Sequence, residues 1–306
     1  MEEDVLRLVR LAIAEDFDRG IDVTSHILVA PQATGALAVV SRSSGVICGL
    51  RAIDTILGEF HVELRWEAEV ADGSVVEAGT LIGRLTGDLR DLLAVERTLL
   101  NFLAHLSGIA SLTHSFVRSV AGTDAAICDT RKTPAGWRHL SKYAVRCGGG
   151  VNHRTGLYDA VLIKDNHLAA WAAAAGTDAG DPQSVARAIR HAREEVAAGH
   201  GLPADRLVVQ VELDDLRPLD AVLEAGPDLI LLDNFSLHDL RRAVVQRDAK
   251  APRVGLEASG GVTLETVRAI AETGVDRISV GALTHSAPAL DLGADWSSPS
   301  TGSNRT

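Results

Sequence analysis

From about residue 111 the chain repeats one pattern six times: a short apolar run, a polar loop, then a more polar or helix-forming stretch. The runs are Ala125-Ala126-Ile127-Cys128, Ala160-Val161-Leu162-Ile163, residues 207–211, residues 229–232, Val254-Gly255-Leu256 and Ile278-Ser279-Val280. Segments of helical periodicity fall at about 184–199, 216–225, 237–246 and 264–273. Short apolar runs bounded by turn residues suit strands buried on both faces, and their alternation with helices predicts a parallel α/β array. The simplest such array is a barrel. Six strands are fewer than the eight of a closed barrel, so an incomplete or irregular one is expected.

Each run ends in residues able to do chemistry. In order, the ends are Asp129-Thr130-Arg131-Lys132, Lys164-Asp165-Asn166-His167, Glu212, Asp233-Asn234, Glu257 followed by Ser259-Gly260-Gly261, and Gly281 with His285. In α/β barrels the carboxyl ends of the strands converge on one face, and that face carries the active site. Capping a helix N-terminus is the alternative for any one acid, such as Asp233 or Asp215. It does not account for all six ends.

Charge is placed as unevenly as the strands. The net charge is -11, yet three of the four lysines, Lys132, Lys142 and Lys164, fall in one short stretch, and the other is Lys250. Between residues 129 and 167 they are joined by Arg131, Arg138, Arg146, Arg154, His139 and His153, against Asp129, Asp159 and Asp165. These charges alternate with glycines and follow apolar runs, which favours an anion site over a solvated basic helix face. Arg131, Lys132, Arg154 and Lys164, with His153, suit an anion. Glu212, Asp233 and Asp165 are acids on the same rim, suited to a divalent cation with oxygen ligands or to sugar hydroxyls. Ser259-Gly260-Gly261 offers open backbone N–H groups before a helical segment, a candidate phosphate cradle. Together these features describe a site for a phosphorylated sugar carrying a pyrophosphate–metal unit, plus a second anionic substrate.

The rest of the chain narrows the class. The acidic balance argues against nucleic acid as a partner. No apolar run reaches membrane-spanning length, and the acidic start, Glu2-Glu3-Asp4, does not read as a secretory signal. Cys48, Cys128 and Cys147 have no metal-ligand spacing, and an odd count fits a reducing cytoplasm. Residues 1–110 read as an α+β sandwich domain: a helix over about 4–14, strands near 36–41, 46–48, 61–66, 74–76 and 80–85, then a helix over about 91–109 with Leu93, Leu99, Leu100, Leu103 and Leu106 as its stripe. Residues 111–286 form the barrel, residues 287–295 rejoin the first domain, and residues 296–306 are expected to be a disordered tail.

The chain resembles the quinolinate phosphoribosyltransferase (carboxylating nicotinate-nucleotide pyrophosphorylase) family. The matching pieces, in the family's order, are EDFDRGIDVTS, ERTLLNFLAHLSGIAS, DTRKT, KYAVRCGGGVNHRTGLYDAVLIKDNH, VEL, LLDN, EASGG and ISVGALTHSAPALD, from about residue 15 to 291. The resemblance implies an N-terminal α+β sandwich followed by an incomplete α/β barrel. It also implies the reaction: quinolinate plus phosphoribosyl pyrophosphate gives nicotinate mononucleotide, pyrophosphate and CO2, with Mg²⁺ and no organic cofactor, in de novo NAD biosynthesis. Carried over by motif, Arg97, Thr130, Arg131, His153, Arg154 and Lys164 surround quinolinate. Lys132, Lys164, Glu212, Asp233, Ser259, Gly260, Gly261, Gly281 and His285 face the phosphoribosyl pyrophosphate. Lys132, Lys164, Glu212 and Asp233 are the candidate catalytic residues, and Glu212 and Asp233 the candidate ligands of a metal brought by the pyrophosphate. The counterpart of Arg97 reaches in from a neighbouring subunit, which implies a homodimer with shared sites. One departure stands after DTRKT: the family usually reads Leu-Pro-Gly-Leu-Arg, and here it is Pro134-Ala135-Gly136-Trp137-Arg138. It is expected to affect loop closure and leaves every charged match intact.

Three rivals are weighed against this reading, one of them a non-enzymatic anion-binding relative, disfavoured because no recognised site position is lost. Relatives attached to molybdenum uptake share the fold but are less similar in DTRKT and in Asn152-His153-Arg154. A barrel aldolase would use Lys164, at a strand end after Val161-Leu162-Ile163, as a Schiff-base amine.

Overall fold

The computed structural model describes residues 2–18, 20–199 and 207–297. The chain divides into two compact units. One comprises the chain up to His114, Thr133–Gly149 and the chain from Leu283; the other comprises Ser115–Lys132 and Gly150–Ala282.

The first unit is α+β. Its elements are α1 (Glu2–Phe17), α2 (Val23–Leu28), β1 (Thr34–Ser41), β2 (Gly45–Val46), α3 (Ile53–Phe60), β3 (Arg65–Ala68), β4 (Val75–Val76), β5 (Leu81–Asp88), most of α4 (Leu89–Ser119), and α5 (Arg138–Cys147). Alternation turns one face of β1 to the core: Leu37, Val39 and Ser41 are buried and the residues between them are not. Helix α4 outruns the expected 91–109 because its stripe does not stop there. Leu92, Val95, Leu99, Leu103, Leu106 and Ile109 are buried, and Thr113 and Phe116 extend the series. Leu92, not Leu93, begins that stripe.

Helix α5 is the largest departure from the sequence reading. Arg138, Lys142 and Arg146 stand at i, i+4 and i+8 on it, so these charges do have helical spacing. They belong to the first unit, whereas Arg131, Lys132, Arg154 and Lys164 belong to the second. The variant loop before α5 has a packing role. Trp137 N donates to Pro134 O at 3.2 Å, and the indole packs against Phe102 and His105 of α4, with ring centroids 5.0 and 4.8 Å apart.

The second unit is a parallel sheet of six strands: β6 (Ala126–Cys128), β7 (Ala160–Ile163), β8 (Val208–Leu213), β9 (Leu229–Asp233), β10 (Gly255–Ser259) and β11 (Arg277–Ser279). The sheet order is β6-β11-β10-β9-β8-β7, so the first strand neighbours the last and the wall opens between β6 and β7. That is the incomplete barrel the strand count predicts. Between the strands lie α6 (Asp165–Ala175), α7 (Pro182–Ala198), α8 (Leu219–Ala225), α9 (Leu237–Lys250) and α10 (Val267–Ala271). Asp181 caps α7 and Ser236 caps α9, each by a side-chain oxygen accepting a backbone N–H. Asp233 is therefore not the cap of α9.

After α11 (Ala282–His285) the chain returns to the first unit. Leu290 N donates to Ala104 O at 2.9 Å, and β12 (Leu292–Ser297) pairs antiparallel with β1, giving a sheet of order β12-β1-β5-β3. Trp296 and Ser297, assigned from sequence to a disordered tail, lie opposite Leu37 and Ala36 in that ladder. The remainder of that tail, residues 298–306, lies outside the described residues. Among the described residues, no helix is long and apolar enough to cross a membrane.

Candidate active site

Register decides which side chains enter the barrel. In the parallel ladder Leu162 lies opposite Gln210, Glu212 opposite Leu231, Ser259 opposite Asp233, Glu257 opposite Arg277, and Ser279 opposite Cys128. Side chains alternate along each strand, so Leu162, Glu212, Leu231, Asp233, Ser259 and Ser279 share one face. All six line a cavity of about 260 Å³, together with Thr130, Arg131, Lys132, His153, Arg154 and Lys164. Nine of these twelve are residues the sequence singles out. Leu162, Leu231 and Ser279 are the additions; they sit inside apolar runs, and only the strand register marks them as inward-facing.

The cations differ in their partners. Lys164 pairs with Glu212. Its backbone N–H is taken by His167 Nδ1 at 3.0 Å, which makes His167 the third-position half of a capping box whose cap residue is Lys164. Lys132 N donates to Thr130 Oγ1 at 3.1 Å, a local turn at the end of β6. Arg154 Nη1 donates to the Ala160 carbonyl at 3.2 Å. The Nε groups of Arg131 and Arg154 are buried and have no hydrogen-bond partner. Burial lowers the Arg154 pKa, and the neighbouring Arg131 lowers it further. Two guanidinium groups close together and incompletely paired have the chemistry to hold an anion.

His153 is held on both sides. Its backbone N–H donates to Asp129 Oδ1 at 2.9 Å, and its Nδ1 accepts the Arg154 backbone N–H at 2.8 Å. An accepting Nδ1 carries no proton, so this contact fits the Nε2–H form of the His153 ring. Asp159 ties down the same loop, taking Thr155 N at 2.6 Å and Gly156 N at 3.0 Å.

The remaining candidates lie off the cavity wall. Gly260 and Gly261 follow Ser259 with φ of 97° and 58°. A Cβ on Gly260 would meet Asn234 Oδ1 at 2.1 Å, while one on Gly261 would meet nothing within 4 Å. Close approach of Asn234 explains the first glycine, and the second leaves backbone open to space. Gly281 follows β11 in the second unit and is half-buried. Arg97 is exposed on α4 and His285 ends α11 with Nδ1 2.6 Å from Ser286 Oγ; both belong to the first unit. Asp165 lines a neighbouring cavity of about 360 Å³ that also touches Glu212 and Asp233, and Asp215 there is paired with Arg217.

Residues 22–107 match the model of the quinolinate phosphoribosyl transferase N-terminal domain, and residues 109–295 that of its C-terminal domain. The chain belongs to the quinolinate phosphoribosyl transferase family. It is 44% identical over 289 residues to nicotinate-nucleotide pyrophosphorylase [carboxylating] of Mycobacterium leprae, an alignment covering 94% of this chain and 95% of that one. It is 33% identical over 295 residues to quinolinate phosphoribosyltransferase [decarboxylating] 1b of Nicotiana tabacum, covering 94% and 81%. Among solved structures, nicotinate-nucleotide pyrophosphorylase of Francisella tularensis superposes with a TM-score of 0.84 at 35% identity, covering 97% of each chain. The family's two-domain order agrees with the α+β unit and open barrel described above.

Proposed function

We propose that the barrel cavity transfers the phosphoribosyl group from phosphoribosyl pyrophosphate to quinolinate with decarboxylation, giving nicotinate mononucleotide, pyrophosphate and CO2 in de novo NAD biosynthesis. The observation that carries the reading is the pair of incompletely satisfied guanidinium groups, Arg131 and Arg154, facing one cavity with Glu212 and Asp233. Family membership supports the same reaction. Two carboxylates on adjacent ring carbons call for two directional cations, and forked arginines supply them. In this reading Thr130, Arg131, His153, Arg154 and Lys164 surround quinolinate, with Arg97 from a second copy of the chain. Lys132, Lys164, Glu212, Asp233, Ser259, Gly260, Gly261, Gly281 and His285 face the sugar pyrophosphate.

Departure of pyrophosphate leaves an electron-poor ribose carbon, and Glu212 or Asp233 stabilises the developing positive charge. The pyridine nitrogen attacks that carbon and becomes a pyridinium. Its positive charge stabilises the electron pair left on the adjacent ring carbon as the carboxylate departs as CO2, and that carbon then takes up a proton. No covalent nucleophile is needed. Among the described residues no group of three or more His, Cys, Asp or Glu is arranged to hold a metal ion. Glu212 and Asp233 instead offer a pair of carboxylates, a donor set that suits Mg²⁺ when phosphate oxygens and waters complete its shell. When bound, Mg²⁺ neutralises charge on the leaving pyrophosphate. A cytoplasmic homodimer with shared sites completes the proposal; Arg97 is exposed on α4, as a residue donated to a second copy must be. The aldolase alternative is disfavoured because Lys164 is ion-paired with Glu212 rather than set in the apolar surroundings an amine nucleophile needs.

The test is an assay of quinolinate and phosphoribosyl pyrophosphate consumption, with nicotinate and nicotinamide as competitors and with a chelator arm. Metal-dependent formation of nicotinate mononucleotide from quinolinate is expected. Full activity after exhaustive metal removal, or no turnover of quinolinate, contradicts the reading.

A further inference from the structure

The alternation that turns Lys164, Glu212, Asp233, Ser259 and Ser279 toward the cavity turns inward, two residues earlier on the same strands, Leu162, Gln210, Leu231, Glu257 and Arg277. Barrel interiors are filled at such positions mainly by branched apolar side chains. Here Gln210 is 2% exposed and Glu257 is fully buried, with Arg277 beside it. Stability alone does not account for this layer, because a buried ion pair is often no better than apolar residues of the same volume.

Four groups able to donate face the Glu257 carboxylate, and the Asp129 carboxylate lies close enough to act on it as well. Ser279 Oγ donates to Oε1, and His153 Nε2 faces the same oxygen at 3.6 Å. Gln210 Nε2 donates to Oε2 at 3.5 Å, and Arg277 Nε lies 3.2 Å from it. Burial pushes the Glu257 carboxyl above the usual range and Asp129 adds to the rise, while Arg277, Ser279 and Gln210 pull the other way. Two of the four neighbours, Ser279 and His153, line the cavity. The His153 ring then accepts the Arg154 amide. A continuous series of contacts therefore runs from Glu257 through the His153 ring to the backbone of Arg154, with Asp129 fixing the other side of His153.

We propose that Glu257 is a positioning residue for the dicarboxylate subsite. It keeps His153 in the neutral Nε2–H form, orients Ser279, and through His153 sets the direction of Arg154, without touching the substrate. The proposal rests on the reading of the cavity as a quinolinate site. Removing Glu257 would loosen the half of the site that holds the pyridine and leave the half that holds the sugar pyrophosphate.

Glu257→Gln keeps size and burial while removing the charge and placing an NH2 among donors. Calorimetry with quinolinate and, separately, with phosphoribosyl pyrophosphate reads its effect. The expected result is weakening of quinolinate by about tenfold or more, the scale on which supporting groups act, with phosphoribosyl pyrophosphate unchanged within about twofold. Ring ¹⁵N NMR of His153 gives a readout that does not depend on the substrate: the Nε2–H tautomer in the wild type, and a shift of tautomer population in the variant. Glu257→Asp, which keeps the charge but retracts it by one methylene, is expected to give a smaller loss of the same selectivity and stands in if the glutamine variant does not fold. Equal weakening of both ligands, unchanged quinolinate affinity, or a wild-type His153 in the Nδ1–H form would overturn the proposal. A wild type that does not bind quinolinate at all would instead overturn the substrate reading, and the NMR arm would still decide whether Glu257 governs His153.

Discussion

Arg154 holds its charge in surroundings that disfavour it. Burial and the nearby Arg131 both work against its protonated form, and its Nε has no partner. Such a group gains most when a carboxylate arrives, because the anion restores both its hydrogen bond and its charge balance. Arg131→Ala and Arg154→Ala are each expected to weaken quinolinate by about 1.5–3 kcal/mol, roughly ten- to hundredfold, while changing phosphoribosyl pyrophosphate affinity far less. Equal losses for the two ligands, measured by calorimetry, would contradict the assignment. These arginines were legible in the sequence because few residue types carry a fixed charge, and an acidic chain that concentrates them after strand-like runs invites a reason. The protonation of His153 was not legible. Its Nδ1 accepts the amide of the next residue and its Nε2 faces a carboxylate on β10, a strand far along the chain that the sequence does not place beside the ring.

Two loops turn strand ends into a site, and each depends on a feature that can be removed. Gly260 has φ of 97° and no room for a Cβ beside Asn234, whereas Gly261 has φ of 58° and open space. Gly261→Ala is expected to cost about 1 kcal/mol for the left-handed backbone alone, and Gly260→Ala more than about 2 kcal/mol because Asn234 must also move. Thermal melts that rank the two variants the other way would refute this account of the turn. The 155–159 loop depends on Asp159. Burial raises its carboxyl, but the amides of Gly156 and Thr155 outweigh that and hold it below the usual carboxylate range. A lowered folded pKa gives stability that is present above the unfolded value and is lost as pH falls through the folded one. Asp159→Asn should therefore be less stable than the wild type at neutral pH, with the difference shrinking below about pH 4; a difference that grows on acidification contradicts the sign. At this scale the six barrel strands were readable from short apolar runs alone. Helix α5 was passed over although Leu140, Tyr143, Ala144 and Cys147 stand at i, i+3, i+4 and i+7; its charges drew it into the cationic stretch, and its buried residues also include Ser141 and Lys142.

If Arg97 completes the site of a second copy, inactive Arg97→Ala and inactive Lys132→Ala chains should regain activity on mixing, up to about a quarter of wild type, since a mixed dimer has one site with both residues intact. No recovery, with subunit exchange confirmed independently, would refute sharing. The resemblance running from residue 15 to 291 made the architecture legible as a whole, but not the return of Trp296 and Ser297 to the first sheet. That polar segment has no strand signal, and it is held by the ladder of β1. The central claim is that the cavity is matched to two carboxylates. Nicotinate would leave one guanidinium contact unmade, at about 1–3 kcal/mol, which corresponds to roughly ten- to hundredfold discrimination or more. The direct measurement is kcat/KM for quinolinate and for nicotinate with saturating phosphoribosyl pyrophosphate and Mg²⁺. A preference for quinolinate of that size or larger is predicted; comparable values for the two substrates would contradict the account and leave a general pyridine phosphoribosyltransferase in its place.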